Sequence, residues 1–141
     1  VPYDLTYVSR ATTPLTPAQL ADLLRVCRAH NEELGVTGAL LYEGGHIMQV
    51  LEGDQPTVEA LYEVIAQDPR HREVAVVAAG PVSRRQFADW SMGFRDLSTD
   101  RSEFAQDARA FFASRTLLGE RRPSAAQRLV LALRHSLVAF P

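Results

Sequence analysis

The sequence predicts an α+β domain built on a five-stranded mixed sheet, with two helices on one face and a pair of C-terminal helices on the other. Three observations carry that expectation. Two apolar runs of strand length, Val36 to Tyr42 and His46 to Glu52, meet at Glu43-Gly44-Gly45 and read as a hairpin. Stretches of period-2 alternation are interleaved with stretches of helical spacing over the first 94 residues. From Ser98 onward only helical spacing remains.

The first strand is Tyr3 to Ser9, which places Tyr3, Leu5, Tyr7 and Ser9 on one face and Asp4, Thr6 and Val8 on the other. After a turn-rich connector, Thr16, Pro17 and Gln19 form an N-cap with proline in the first turn. A helix runs from there to about Leu34 and stops at Gly35, with an apolar stripe of Leu20, Leu23, Leu24 and Cys27 that continues at helical spacing to Asn31. Next comes the hairpin. Pro56 then opens a second helix with Val58, Leu61, Tyr62 and Ile65 inward, ending at Asp68-Pro69. Val74 to Ala79 is a fourth strand. Phe87 to Phe94 is expected as a fifth, with Trp90, Met92 and Phe94 on one face. This βαββαββ order is ferredoxin-like, and right-handed crossover places the third strand beside the first, making Tyr7 and Gln49 neighbours on the helix-covered face.

In the tail, Phe104, Ala108, Phe111 and Phe112 form one stripe, and after Gly119 to Pro123 a second helix carries Ala126, Leu129, Val130, Leu133 and Leu137. Its apolar side needs a partner, either the outer sheet face with Met48 and Val50 or a second copy of the chain. The expected division is residues 1–97 as one folded domain and 98–141 as a two-helix extension.

Composition narrows the function classes. A length of 141 residues fits one domain, with no room for a separate catalytic one. A formal net charge of -2 gives no reason to expect nucleic acid or an anionic membrane as partner. The arginines at 121, 122, 128 and 134 are sparse enough to read as a solvated face. The single Cys27 excludes a disulfide framework, and the four histidines lack metal-site spacing. With no apolar run of membrane length and no signal pattern, a cytoplasmic location is expected.

Two side chains stand out against this background. Gln49 alternates with Ile47 and Leu51 on a dry strand face, and Asn31 ends the apolar stripe of the first helix. A buried carboxamide left unpaired costs about 1–3 kcal/mol, so each needs a polar partner. A backbone carbonyl or neighbouring hydroxyl would serve, and so would a bound ligand.

The motifs Tyr7-x-Ser9, Asn31, Gly35-Val36-Thr37-Gly38-Ala39-Leu40, Gln49-x-Leu51-Glu52-Gly53, Asp68-x-Arg70-His71 and Phe87-x-x-Trp90-x-Met92-Gly93-Phe94 fall in the order and approximate spacing of one family. From about Leu5 to Phe94 the chain resembles the BLUF family, blue-light sensors that use FAD. The resemblance implies a non-covalently bound flavin, FAD with FMN or riboflavin as substitutes, lying between the two helices. It implies that Gln49 bonds the ring's N5 and C4-carbonyl edge, Asn31 the pyrimidine end, and Arg70 the region of the C2 carbonyl and ribityl chain. Tyr7 would bond the far side of Gln49. Cys27 and His71 complete the cofactor-binding set.

On the family's model, light drives electron and proton transfer from Tyr7 to the flavin. Gln49 then rotates or tautomerises and strengthens a bond to the C4 carbonyl, shifting absorption to the red. Ser9, Trp90 and Met92 are the implied signal relay. The short members of the family imply output through protein contacts, a homo-oligomer and a downstream protein partner, without enzymatic turnover. Taken singly, Tyr7, Trp90 and Met92 are ordinary core residues, and Arg70 is a cation at a helix end. A non-photoactive interaction module is the rival reading. An acylphosphatase-like hydrolase fits poorly, because the connector before the first helix carries Pro14 and Pro17 in place of a Gly-rich anion loop.

Overall fold

A computed structural model describes residues 1–113 and 122–139. Five strands and four helices follow one another as β1 (Tyr3–Ala11), α1 (Pro17–Leu34), β2 (Thr37–Glu43), β3 (His46–Gly53), α2 (Gln55–Ala66), β4 (His71–Pro81), β5 (Gly93–Asp96), α3 (Glu103–Ala113) and α4 (Arg122–Ala139). The strand order across the sheet is β4-β1-β3-β2-β5. β1 lies antiparallel between β3 and β4, β2 is antiparallel to β3, and β5 joins β2 in parallel, so the sheet is mixed. β3 therefore fills the position beside β1 that the crossover rule reserves for it.

Local chemistry sets the element ends as expected. Thr16 Oγ1 accepts from Gln19 N at 3.2 Å while Gln19 Oε1 accepts from Thr16 N at 2.9 Å, a reciprocal capping box. Gly35 ends α1 with φ 68°, and Gly44 and Gly45 turn the hairpin with φ 53° and 88°, backbone that L side chains rarely adopt.

Alternation along the strands divides the interior into two cores. Leu5, Tyr7, Leu40, Ile47 and Leu51 pack beneath Leu20 and Leu24 of α1 and Val58 and Leu61 of α2. On the opposite face Val8, Leu41, Met48 and Val50 pack against Phe111 and Phe112 of α3 and Leu129, Leu133 and Leu137 of α4. The C-terminal stripes thus cover the outer sheet face, the first of the two partners considered. Proline at the second position of α4 is tolerated because a first-turn N–H has no intrahelical partner. The helix consequently begins inside the span expected for the turn, whose earlier residues, 119–121, lie outside those described.

The fifth strand departs from expectation. Residues 87–92 form a loop with a turn at Ala88 and Asp89 and bends at Ser91 and Met92, and β5 begins only at Gly93. The buried Glu52 carboxylate captures Gln86 N at 2.6 Å and Phe87 N at 2.9 Å, and Trp90 N closes a turn on Phe87 O at 3.0 Å. Those groups are spent before a ladder can form, so Trp90 and Met92 lose the common strand face. Trp90 packs with the outer core, 6.3 Å from the Phe87 ring, whereas Met92 is fully buried in the inner one.

Candidate functional site

The inner core does not close completely. Between α1, the C-terminal end of α2 and the sheet lies a cleft of about 420 Å³. Its floor is Tyr7, Leu40, Ile47 and Gln49 from three adjacent strands, and one wall is Gln19, Leu23 and Cys27 from α1. Ile65 and the segment Asp68 to His71 form the other wall, with Thr12, Thr13 and Leu15 at the rim. Leu23 and Cys27 are half-buried because the α1 stripe faces this space. Tyr42 holds the rim by accepting from Leu15 N at 3.0 Å.

At the floor, strand register places Tyr7 opposite Gln49. The Tyr7 hydroxyl donates to Gln49 Oε1, a bond between two buried side chains 42 residues apart. That bond fixes the carboxamide, whose Nε2 then faces the Met92 thioether, Nε2 to Sδ 3.5 Å. Sulfur is a weak acceptor, so Gln49 is firmly held at its oxygen and weakly satisfied at its nitrogen. Burial pushes the Tyr7 phenol well above its ordinary range, and the fields of Cys27, Tyr62 and Asp68 add to the effect. The phenol therefore stays protonated and keeps its O–H as a donor. The Tyr62 ring lies 5.7 Å away and His71 stands edge-on at 6.1 Å.

Along the second wall, His71 Nε2 lies 2.6 Å from Ile65 O, and its Nδ1 lies 3.0 Å from the hydroxyl of the fully buried Ser9. A carbonyl only accepts, so Nε2 carries the proton and His71 ties the end of α2 to β1. Arg70 stands at the mouth, clasped by Asp68 with Nη2 to Oδ2 2.6 Å. This hydrogen-bonded pairing raises the guanidinium's proton affinity and lowers that of the Asp68 carboxyl. The Cys27 thiol is pushed up by burial, against the lowering pull of Arg70 and Arg28.

Tyr7, Cys27, Gln49, Arg70 and His71 thus line one cleft, with Ser9 behind His71 and Met92 behind Gln49. Asn31 is buried as expected but does not line this space. Its Nδ2 donates to Ser91 O at 2.7 Å, on the side of α1 toward the loop before β5. Trp90 is on the far side of the sheet from Gln49. Sequence reasoning overlooked two groups. Gln19 lines the cleft because the stripe of Leu23, Cys27 and Asn31, followed backward at four-residue spacing, reaches it. Arg28 Nε donates to Met92 O at 2.9 Å, a contact with no sequence signal beyond its place three residues before Asn31. Among the described residues no cluster has the makings of a metal site, and no helix is long and apolar enough to cross a membrane.

Residues 3–93 match the family model BLUF, sensors of blue-light using FAD. The chain belongs to the BLUF family. Its BLUF region is 39% identical over 89 residues to photoactivated adenylate cyclase subunit beta of Euglena longa. That match covers 62% of this chain but only 10% of the relative. Similarity to a solved BLUF protein extends further, since the dark-state structure of BlrB superposes with a TM-score of 0.73 at 32% identity, covering 93% of this chain and 96% of that one. The photo-activated state of BlsA gives 0.80 at 25% identity, with 95% of both chains covered. These likenesses place the chain with BLUF photosensor domains, and those to BlrB and BlsA extend over nearly its whole length. The cleft fits the flavin that BLUF proteins use: most of the surface that lines it is apolar, its floor offers a buried amide with only sulfur as acceptor, and a guanidinium stands at its mouth.

Proposed function

We propose that this BLUF chain is a blue-light photoreceptor that holds FAD non-covalently in the cleft between α1 and α2, with Tyr7 and Gln49 as its photoactive pair. The carrying observation is the buried Tyr7–Gln49 bond, with the Gln49 amide left only a thioether to bond. Gln49 would meet the flavin's polar edge, Arg70 its pyrimidine or ribityl region, and Cys27 and His71 the ring's surroundings. Asn31 would reach it by exchanging its present bond to Ser91. When bound, the flavin supplies blue-light absorption and an excited-state electron acceptor.

Tyr7 supplies the electron and, along its existing bond, a proton to the Gln49 oxygen. Protonated there, the carboxamide would turn or tautomerise before electron and proton both return to Tyr7, leaving the same atoms and charges in a new hydrogen-bond network. Because the site is buried, an unmade bond is costly and two discrete networks are favoured over a continuum. Any turn of Gln49 breaks its contact with Met92, whose segment continues into Trp90 on the outer core and Gly93 beneath α4. Signal then leaves through residues 98–141 to a second copy of the chain or a protein partner in the cytoplasm, with the C-terminal helices as the biased element.

The test is absorption of purified protein in the dark and after blue light, with released flavin identified by chromatography and mass. A small red shift that relaxes in the dark, lost in Gln49→Leu and in Tyr7→Phe, is the expected result. Protein that takes up no added FAD would overturn the reading and leave an interaction module. Bound flavin with an unaltered shift in both variants would remove the assigned pair.

A further inference from the structure

The loop between β4 and β5 is held along its backbone from three directions. Glu52 takes the N–H groups of Gln86 and Phe87, and Gly38 N donates to Trp90 O at 3.1 Å. From α1, Asn31 Nδ2 reaches Ser91 O at 2.7 Å and Arg28 Nε reaches Met92 O at 2.9 Å. Arg28 and Asn31 are three residues apart and so share a helix face, which is why they hold consecutive carbonyls. The Arg28 bond is charge-assisted, the stronger class. It also closes on Met92, whose side chain touches Gln49.

We propose that Arg28 is a positioning residue of the photocycle: by holding the Met92 carbonyl it keeps the Met92 thioether where the Gln49 amide must return, and so sets the rate of dark recovery. The inference rests on the photosensor reading above. The return of Gln49 ends with its N–H facing Met92 Sδ. With the backbone of residue 92 fixed to α1, that acceptor is in place when the amide arrives. Without Arg28 the flexible thioether must be ordered during the return, which raises the barrier. Arg28 reaches no residue of the Tyr7–Gln49 pair directly, so the photochemistry itself should survive its loss.

The experiment follows recovery of the absorption spectrum after a blue pulse in flavin-loaded full chain. It compares the unsubstituted protein, Arg28→Ala, Met92→Ala and the double variant. Ordering one rotamer-rich side chain corresponds to a recovery about three- to tenfold slower in Arg28→Ala, with the size of the red shift retained. Acting through Met92, the same change in a Met92→Ala background should alter the rate by less than about twofold. Recovery of Arg28→Ala at the unsubstituted rate would overturn the proposal while the photosensor reading stands. So would equal slowing with and without Met92, the mark of a general loosening of α1. An unsubstituted protein that binds flavin but shows no reversible shift overturns both.

Discussion

Glu52 offers the most direct check on what holds the loop between β4 and β5. Its side chain is fully buried, and one oxygen accepts from Phe87 N at 2.9 Å and the Thr37 hydroxyl at 3.1 Å while the other accepts from Gln86 N at 2.6 Å. In Glu52→Ala both loop N–H groups lose a charged acceptor, each worth about 1.5–3 kcal/mol, so the variant should lose about 3–6 kcal/mol. Glu52→Gln separates hydrogen bonding from packing. One amide oxygen replaces two carboxylate oxygens, so whichever way the amide turns, its NH₂ confronts Gln86 N–H or Phe87 N–H. The Thr37 hydroxyl can reverse and accept, but a backbone N–H cannot. One unpaired donor then costs about 1–3 kcal/mol. Urea unfolding of the flavin-loaded chain, with equal slopes for all three proteins, measures both losses. A Glu52→Ala loss under about 1 kcal/mol would refute the claim that this carboxylate anchors the loop. So would a Gln variant as stable as the original.

Two further outcomes follow from the same geometry. Asp4 faces Glu52 across the β1–β3 pair, and burial, with the Glu52 charge second, raises its carboxyl to about 6. The folded chain therefore binds more protons than the unfolded one between the ordinary carboxylate range and pH 6, and stability should fall as pH rises through that window. Asp4→Asn should flatten this slope and melt higher than the original protein at pH 7, which thermal unfolding across pH 4 to 8 would show; an unchanged slope would assign it elsewhere. Gly93 lies beneath α4, where an added Cβ would stand 2.5 Å from Leu137 Cδ1. Gly93→Val should push Leu137 aside at a cost of about 1–3 kcal/mol and speed amide exchange in α4, and unaltered exchange there would contradict this packing.

Periodicity and punctuation are local properties, and whatever depended on them was legible in the sequence. Thr16, Pro17 and Gln19 specify the start of α1 through bonds within one turn, and Gly35, Gly44 and Gly45 specify sharp turns through their own φ. Alternation along β3 was enough to put Gln49 on a dry face, and the crossover rule was enough to bring Tyr7 beside it. The apolar stripes of α3 and α4 required a cover, though only packing showed that cover to be Val8, Met48 and Val50.

Residues 87–92 were the opposite case. Their alternation of aromatic and apolar side chains reads as a strand, yet Glu52, more than thirty residues earlier, captures the first backbone groups and the segment folds into a turn and bends instead. Tertiary structure alone therefore decided that Met92 turns inward to Gln49 while Trp90 turns outward to the C-terminal helices. It likewise decided that Asn31 and Arg28 spend their donors on the carbonyls of Ser91 and Met92. No local pattern encodes such contacts, because each depends on where a distant segment passes once the sheet has formed. Local pattern and likeness in the sequence determined the helices, four of the strands and the choice of Tyr7 and Gln49 as the proposed pair, and the folded chain determined which loop those two side chains can reach.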